Sequence, residues 1–187
     1  IRIHPTVFNS EGVDLDADGR HRWTPVWPAA RVEVSLEHPQ VHWSGAGYLD
    51  HNAGTRPLEQ CFDNWYWSRA ATRNGPVVLY DTQHRSGERS SLALHFDRSG
   101  KLTELPAPAS VNLPRTRWGM ERPTRADDGC AKLEATWEDT PFYARSLVSS
   151  RLLGEHVTAV HESLSLARFS RLWVQLMLPF RMPRRRR

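Results

Sequence analysis

The segment 76-PVVLYDTQHRSGERSSLALHFDRSGKLTEL-105 decides the fold class. Short runs rich in Val, Leu, Tyr and Phe are separated by polar pairs that contain glycine, at Ser86-Gly87 and Ser99-Gly100. Runs of this kind bounded by turn residues are typical of β-strands joined in hairpins. We therefore interpret this segment as three consecutive antiparallel strands.

Strand-like patterns recur along the rest of the chain. In ARVEVSL (30–36) the side chains of Val32, Val34 and Leu36 fall on one face, which we expect to point inward. Similar runs are TRWGMER (116–122), CAKLEATWED (130–139), FYARSLVSS (142–150) and EHVTAVHESLSL (155–166). Strands that recur every 8–12 residues or so without intervening helices predict an all-β sandwich or barrel.

Few segments depart from the strand pattern. Only PLEQCFDNWYWSRA (57–70) and LARFSRLWVQLML (166–178) have a helical alternative, and we interpret LPAPASVNLP (105–114) as a crossing loop. In the strand 155–166, His161 and Ser163 share one face and Glu162 takes the other, an arrangement we interpret as structural.

The charge of the chain is concentrated at its end. Lys and Arg number 25 against 21 Asp and Glu, and the basic tail 181–187 supplies more than this excess. The remaining body is close to neutral, which disfavours nucleic acid as a partner. A basic end after an apolar stretch fits an anionic lipid surface, although the apolar residues have packing on the body as an alternative. No apolar run approaches about 18 residues, so no membrane-spanning helix is expected.

Known catalytic and cofactor motifs are missing from the sequence. His42, Asp50 and His51 lack the spacing of a metal site, and neither a GxSxG motif nor a dinucleotide fingerprint occurs. The two cysteines, Cys61 and Cys130, show no CxxC spacing and predict reduced thiols in a cytosolic context. We expect no metal and no organic cofactor.

An acid with aromatic neighbours is the remaining chemical signal. GRHRWTP (19–25) places His21 and Trp23 two residues apart, and GYLD (47–50) does the same for Tyr48 and Asp50. Among aromatic rings a carboxylic acid loses hydration, which favours its protonated form, and ring faces stabilise a carbocation. The set therefore fits protonation of an unactivated alkene. The alternative is a group of structural aromatic residues beside a turn aspartate.

At these residues the sequence resembles the carotenoid 1,2-hydratase (hydroxyneurosporene synthase) family of phototrophic bacteria. The likeness covers nearly the whole chain in matching order, and it is carried by residues 21–34, 43–70, 139–169 and 174–184. It implies a lipocalin-like (calycin) antiparallel barrel with a few short helices. Residues 1–29 would end a preceding lipocalin-like half, and residues 30–187 would form the C-terminal lipocalin-like domain. The chain, which starts at Ile1 without Met, is then expected to be the C-terminal portion of a longer polypeptide, with the N-terminal half as its partner.

The resemblance also implies a reaction. Family members are hydro-lyases that add water across the terminal carbon 1–carbon 2 double bond of acyclic carotenoids such as neurosporene and lycopene, in carotenoid biosynthesis. The functional positions fall on His21, Trp23, Tyr48 and Asp50. Asp50 would protonate carbon 2, and Trp23 and Tyr48 would face the tertiary cation at carbon 1. His21 would orient Asp50 or help to deprotonate water.

Three further tryptophans, Trp43, Trp65 and Trp67, are assigned to substrate binding, with core packing as the alternative for the last two. We expect a bacterial protein associated peripherally with the cytoplasmic side of the membrane. The alternative function is a lipocalin-like carotenoid or isoprenoid binder without turnover. A related pocket enzyme that acts on another polyene is a further alternative.

Overall fold

The structure, a computed structural model, describes residues 1–180 and consists mostly of antiparallel β-strands with a few short helices. The strands are β1 (Arg2–Val7), β2 (Val13–Asp14), β3 (His21–Leu36), β4 (Val41–Gly54), β5 (Phe62–Thr72), β6 (Gly75–His84), β7 (Arg89–Phe96), β8 (Leu102–Glu104), β9 (Ala109–Leu113), β10 (Arg122–Ala126), β11 (Ala131–Asp139), β12 (Tyr143–Leu152) and β13 (Glu155–Ser165). The helices are α1 (Leu58–Cys61), α2 (Leu166–Phe169) and α3 (Leu172–Met177).

The largest sheet has the order β11-β12-β13-β5-β6-β7-β8. The predicted turns join β6 to β7 and β7 to β8, so the three-strand interpretation of residues 76–105 is confirmed. At the second turn Asp97 Oδ1 accepts hydrogen bonds from the amides of Ser99 and Lys101, and Gly100 has a φ of 90°. A positive φ favours glycine, which explains why this residue marks the turn.

A second, smaller sheet packs on one face of the large sheet. Its central strand, β3, pairs with β1, β2 and β4. Trp23 of β3 is fully buried in the cluster between the sheets, with its ring centroid 5.2 Å from that of Tyr80 on β6. Burial of an aromatic side chain of this size contributes roughly 4–6 kcal/mol before entropy is counted. Trp23 is therefore a main anchor between the two sheets.

The pairing of β3 with β4 is interrupted twice. Residues 24–27 of β3 face only residues 49–51 of β4, and residues 27–30 face only residues 47–49. Each of the two segments of β3 contains a proline, which has no N–H for the ladder. An extra residue on one strand is a β-bulge, which bends the strand and redirects nearby side chains.

The hairpin of β9 and β10 covers part of the opposite face of the large sheet. Arg122 of β10 is buried there and donates to the hydroxyls of Thr136 and Ser146. His161 of β13 is also buried and hydrogen-bonds through Nε2 to the carbonyl of Pro123. The large sheet thus has two buried faces, one toward β3 and β4 and one toward β9 and β10.

Several sequence predictions need correction. The segment 57–70 is helical only in α1, and the rest forms β5, because its residues pair with both β13 and β6. The predicted crossing loop 105–114 contains β9. In the segment 116–122 a turn at residues 116–119 precedes β10, which begins only at Arg122. The helical alternative holds for 166–178, which contains α2 and α3.

The inward face predicted for residues 30–36 is confirmed only at Val34. Val32 is half-buried, and Leu36 is exposed because it is the last residue of β3, beside the turn into β4. The alternation of His161, Glu162 and Ser163 is confirmed, since the first and third are buried.

The large sheet is not closed in residues 1–180, because its edge strands β8 and β11 do not pair with each other there. The predicted domain boundary at residues 29 and 30 falls inside β3, and the division stays a prediction. The basic tail 181–187 lies outside the described residues. Among residues 1–180 no helix combines the length and apolar character needed to cross a bilayer.

Candidate active site

The carboxyl group of Asp50 is the centre of the candidate site. Trp23 Nε1 donates a hydrogen bond of 2.8 Å to Asp50 Oδ2, and the Tyr48 hydroxyl donates to the same oxygen at 3.1 Å. Within residues 1–180 Asp50 Oδ1 has no hydrogen-bond partner. Two donors therefore fix one oxygen of the carboxyl group and leave the other available.

The two bulges of β3 position this group. Asp50 lies opposite the bulge that contains Pro25, and Tyr48 lies opposite the bulge that contains Pro28. Gly47 allows the strands to approach here, because a Cβ at this position would collide with the side chain of Val32. The two proline bulges of β3 and Gly47 together explain how Tyr48 and Asp50 of β4 come close to Trp23 of β3.

Aromatic rings surround the acid. The Tyr48 ring lies 5.0 Å from the Trp67 ring, and the Tyr80 ring lies 5.2 Å from Trp23 and 5.9 Å from Trp65. The contacts of Tyr48 with Trp67 and of Trp23 with Tyr80 join the small sheet to β5 and β6 of the large sheet. Ring faces carry negative potential and attract cations, so this surrounding favours a positive charge near the acid.

The hydroxyl groups of Tyr48 and Tyr80 stay protonated and neutral. Burial raises the pKa of the Tyr48 hydroxyl far above its ordinary value, and the charge and hydrogen bond of Asp50 raise it further. Burial and the charge of Asp50 raise the pKa of Tyr80 in the same way. The Arg69 guanidinium lies over the Tyr48 ring, 5.7 Å from its centroid, and donates to the carbonyl of Pro28 at 2.8 Å. Arg69 therefore holds the Tyr48 ring against the bulge of β3.

His21 is buried but does not hydrogen-bond to Asp50. Its Nδ1 lies 2.7 Å from Asp16 Oδ2, and its Nε2 lies 2.9 Å from the carbonyl of Arg56. Both ring nitrogens are thus occupied, and the predicted direct orientation of Asp50 by His21 does not match this geometry. The ring packs edge-on against Phe62 at 5.1 Å. His21 orders the start of β3 beside the site.

Asp16 is the partner that the sequence did not reveal. Burial acts to raise the pKa of Asp16, but hydrogen bonds from the His21 ring and from the amides of His21 and Arg20 outweigh it, and the pKa is lowered. Asp16, His21 and Cys61 bring potential metal ligands within 4.8 Å of one another. Because Asp16 and the Arg56 carbonyl already hold the His21 nitrogens, we assign this group to an aspartate–histidine pair.

The three tryptophans assigned to substrate binding lie in different places. Trp65 and Trp67 belong to the cluster between the sheets, as the core-packing alternative requires, and Trp67 contacts Tyr48. Trp43 is 52% exposed and lies near the other end of β4, paired with Val34. Contact of these residues with a substrate stays a prediction.

Glu162 is a second acid near the site that sequence reasoning set aside. It pairs with Trp67 across β13 and β5, and its carboxylate lies 3.1 Å from Arg145 Nε. Burial raises the pKa of Glu162, and the charge of Asp50 raises it further, against lowering contributions from Arg145 and Tyr143. The period-two alternation predicted the face of Glu162 correctly but could not show that the small sheet packs on that face, where Tyr48 contacts Trp67.

Comparison with known proteins assigns the chain to a family. The family model for carotenoid hydratase CrtC matches residues 1–187. The chain is 53% identical over 186 residues to the acyclic carotenoid 1,2-hydratase of Thiocapsa roseopersicina, covering 98% of this chain and 46% of that protein. It is 46% identical over 188 residues to the enzyme of the same name from Rubrivivax gelatinosus, covering 99% of this chain and 46% of that protein.

The chain therefore spans about half the length of these two relatives, since it covers 46% of each. The structure of a protein assigned as AttH from Nitrosomonas europaea has a TM-score of 0.54 at 11% identity, covering 88% of this chain and 60% of that one. This likeness shows a shared fold. Because the family model matches residues 1–187 of this chain, the chain belongs to the carotenoid hydratase CrtC family.

Proposed function

We propose that this chain carries the acid of a hydro-lyase that adds water to the terminal carbon 1–carbon 2 double bond of acyclic carotenoids such as neurosporene and lycopene. The observation that supports this proposal best is the hydrogen bonding of the Asp50 carboxyl group. Its Oδ2 accepts hydrogen bonds from Trp23 and Tyr48, whereas Oδ1 accepts none within the described residues. A proton carried on Oδ1 can be transferred without breaking either hydrogen bond.

The first step is protonation of the alkene. The proton of Asp50 Oδ1 moves to carbon 2, and the π electrons form the new carbon–hydrogen bond. This leaves a tertiary cation at carbon 1 and a carboxylate at Asp50. Trp23 and Tyr48 then strengthen their hydrogen bonds to Oδ2, because a charged acceptor binds a donor more strongly than a neutral one.

The second step is capture of the cation by water. The ring faces of Trp23, Tyr48 and Trp67 stabilise the cation until water adds at carbon 1 and loses a proton. The proposal needs no metal and no organic cofactor. His21 takes part through the fold, as the partner of Asp16, and not through contact with Asp50.

Substitution of Asp50 tests this proposal in the complete gene product. Asp50→Asn preserves shape but has no proton to donate, so hydration of lycopene and neurosporene should fall by about 100- to 10,000-fold. Carotenoid binding, followed by the shift of visible absorption, should persist. Asp14→Asn is a matched control, since Asp14 lies in the same sheet, is exposed and pairs with Arg22.

Turnover by Asp50→Asn close to that of the control would refute the acid assignment. A complete gene product that binds carotenoid but never forms a hydrated product of one added water would instead support the non-catalytic binder. Loss of binding together with activity in Asp50→Asn would make Asp50 a structural residue.

We also propose that a preceding lipocalin-like half packs beside β4 and that the large sheet belongs to a lipocalin-like barrel. Residues 42–46 of β4 are all exposed, and in the described residues β4 pairs only with β3. Hydrogen exchange of the β4 amides tests the first part. Exchange that is equally fast in the complete gene product and in residues 1–187 alone would contradict it. A crystal structure with solvent-exposed edges at β8 and β11 would contradict the barrel.

A peripheral site on the cytoplasmic face of a bacterial membrane is the proposed location. In and after α3, Leu172 is 75% exposed and Phe180 is 72% exposed, and the basic residues 181–187 follow in the sequence. Each basic residue near an anionic surface contributes about 1 kcal/mol. Deletion of 181–187 should weaken sedimentation with anionic liposomes, and unchanged sedimentation would exclude the tail from binding.

A further inference from the structure

Glu162 projects from the same sheet face that carries the aromatic side of the site. In the large sheet Glu162 pairs with Trp67, and Trp67 pairs with Tyr80 on its other side. Side chains of directly paired residues share one face and stand about 4.5–5.5 Å apart at Cβ. Glu162, Trp67 and Tyr80 thus form one row across β13, β5 and β6.

The small sheet places the acid over this row. The Tyr48 ring packs at a tilt against Trp67, and the Trp23 ring packs at a tilt against Tyr80. Tyr48 and Trp23 both donate hydrogen bonds to Asp50. Asp50 therefore approaches the row from β4, while Glu162 belongs to the row itself. The electrostatic influence of Asp50 on Glu162 agrees with this proximity. The site thus has two carboxyl groups, one from each sheet.

The hydrogen bonds of Glu162 leave capacity for a further donor. Arg145 Nε lies 3.1 Å from Glu162 Oε1, and the Tyr143 hydroxyl is close enough to this carboxyl group to lower its pKa. A carboxylate accepts about four hydrogen bonds, so these two groups do not saturate it. Burial raises the pKa of Glu162, and the cation of Arg145 opposes this by favouring the ionised form, which is the form a base requires.

Trp67 supplies the second observation. Its side chain is 8% exposed, and its Nε1 is buried without a hydrogen-bond partner among the described residues. A buried N–H without a partner is costly and rare, and water commonly satisfies such groups. The unpaired donor belongs to the residue that pairs directly with Glu162. A water molecule between them would have both a donor and an acceptor.

We propose that Glu162 and the indole N–H of Trp67 bind the water that attacks the carotenoid cation, with Glu162 as the base that removes its proton. This inference rests on the proposed function and extends it. Asp50 gives a proton to carbon 2, and a lone pair of the water oxygen forms the bond to carbon 1. Glu162 takes one proton from that water. The product is a tertiary alcohol, Asp50 ends as a carboxylate and Glu162 ends protonated, and exchange with solvent restores both.

Separation of the two roles has a physical reason. After protonation of the alkene, Asp50 is a carboxylate whose Oδ2 is held by two hydrogen bonds from the small sheet. A second carboxyl group, that of Glu162 beside the cation of Arg145, lies on the other sheet and can accept the proton of the water. Asp50 and Glu162 can then act from opposite sides of the double bond.

The experiment uses Glu162→Gln in the complete gene product, with lycopene in D2O. Hydration should fall about 100-fold or more, the usual contribution of a general base. Asp50 still delivers a deuteron to carbon 2, and the cation that water cannot capture returns to the alkene by losing a hydrogen of carbon 2 to the carboxylate. Loss of the delivered deuteron leaves no label, but loss of the original hydrogen, whose bond breaks faster than a bond to deuterium, retains it. Recovered lycopene should therefore contain deuterium at carbon 2, and the added change Asp50→Asn should abolish this label. Glu162→Asp should restore part of the hydration.

Two control variants separate catalysis from structure. Glu155→Gln removes a glutamate of the same strand that lies 3.9 Å from Arg73, and it should hydrate normally. Arg145→Gln breaks the ion pair but keeps the proposed base, so it should reduce hydration less than about 10-fold.

Trp67→Phe tests the proposed donor to the water. It keeps the ring and removes the N–H, and it should reduce hydration about 10-fold with carotenoid binding intact.

Normal hydration by Glu162→Gln, while Asp50→Asn is inactive, would overturn this inference and leave the proposed function standing. Normal hydration by Asp50→Asn would overturn the proposed function itself. An equal loss in Arg145→Gln and Glu162→Gln, without deuterium in the recovered lycopene, would show that the pair is structural and would also overturn the inference.

Discussion

Neighbouring residues of β13, His161 and Glu162, point to opposite faces of the large sheet and meet opposite kinds of surroundings. His161 faces β9 and β10, and its Nε2 binds the backbone carbonyl of Pro123. Glu162 faces the small sheet, where Arg145 and Tyr143 contact its carboxylate and Asp50 lies nearby. We call the face of the large sheet that carries His161 the polar face, because its buried groups bond to backbone acceptors. We call the face that carries Glu162 the aromatic face, because it holds the aromatic rings and the two acids.

The polar face is organised by Arg122. Its guanidinium donates to the carbonyls of Pro114 and Arg115 and to the hydroxyls of Thr136 and Ser146. These acceptors belong to a loop and to two other strands, so the bonds fix the position of the β9–β10 hairpin. Hydrogen bonds of this kind contribute to stability. Because these donors and acceptors are already bonded to each other, few of them remain to act in a reaction.

On the aromatic face the bonds converge on a titratable group. Trp23 and Tyr48 both donate to one oxygen of Asp50, and the other oxygen accepts none within the described residues. The difference teaches how to separate structural from reactive buried polar groups. Donors bonded to backbone acceptors fix the architecture, whereas donors that leave one acidic oxygen available fit the proposed reaction.

The largest expected effect on stability belongs to the polar face. Burial and, less strongly, the charge of Arg122 outweigh the bond to Pro123 and lower the pKa of His161 from an ordinary value of 6.5 to about 4. Between these pH values the unfolded chain binds a proton that the folded chain does not. Stability from His161 is therefore fully present above about pH 6.5 and is lost as the pH falls toward 4, by about 3 kcal/mol.

Urea denaturation from pH 7 to pH 4 measures this loss. His161→Gln retains a donor for the Pro123 carbonyl but does not titrate, so its stability should decrease less over this range than that of the wild type. Carotenoid binding at pH 7 should not change. Equal pH dependence of the two proteins would show that His161 is not the group responsible.

An intermediate effect is expected on the aromatic face, in activity more than in stability. Trp23→Phe keeps a ring in the core and removes the 2.8 Å bond to Asp50, so hydration should fall about 10-fold or more. Tyr48→Phe removes the longer bond of 3.1 Å, keeps the contact with Trp67, and should reduce hydration by less. Initial rates with saturating lycopene measure both.

Tyr66→Phe is a suitable control, because Tyr66 lies on the opposite face of β5 and its hydroxyl has no bond to Asp50. If Tyr66→Phe reduced hydration as strongly as Tyr48→Phe, the convergence on Asp50 would not explain the activity.

The smallest effect is expected at Ser163. This residue is buried on the same face as His161, but its Oγ has no hydrogen-bond partner among residues 1–180. Ser163→Ala removes a polar atom that gains nothing from the fold, so the free energy of unfolding should change by less than about 1 kcal/mol or rise slightly. A loss above about 2 kcal/mol in urea denaturation would show that the polar face depends on Ser163.

The sequence by itself determined most of the strands, the two hairpin turns and the two local pairs, His21 with Trp23 and Tyr48 with Asp50. These features are local: glycine and aspartate form the turns of 76–105, and residues two apart on a strand share a face. The family motifs added the expected roles. The hydrophobic periodicity did not distinguish a helix from a strand in residues 57–70, because the tryptophans there made the pattern ambiguous.

Only the tertiary structure decided which faces meet. The alternation of 155–166 placed Glu162 opposite His161, but only the packing of the small sheet brings Glu162 near Asp50. Likewise, the partner of His21 is Asp16, which sequence spacing did not indicate. The physical reason is that hydrogen bonds and desolvation act over a few ångströms, and the approach of residues far apart in the chain is set by the packing of the two sheets.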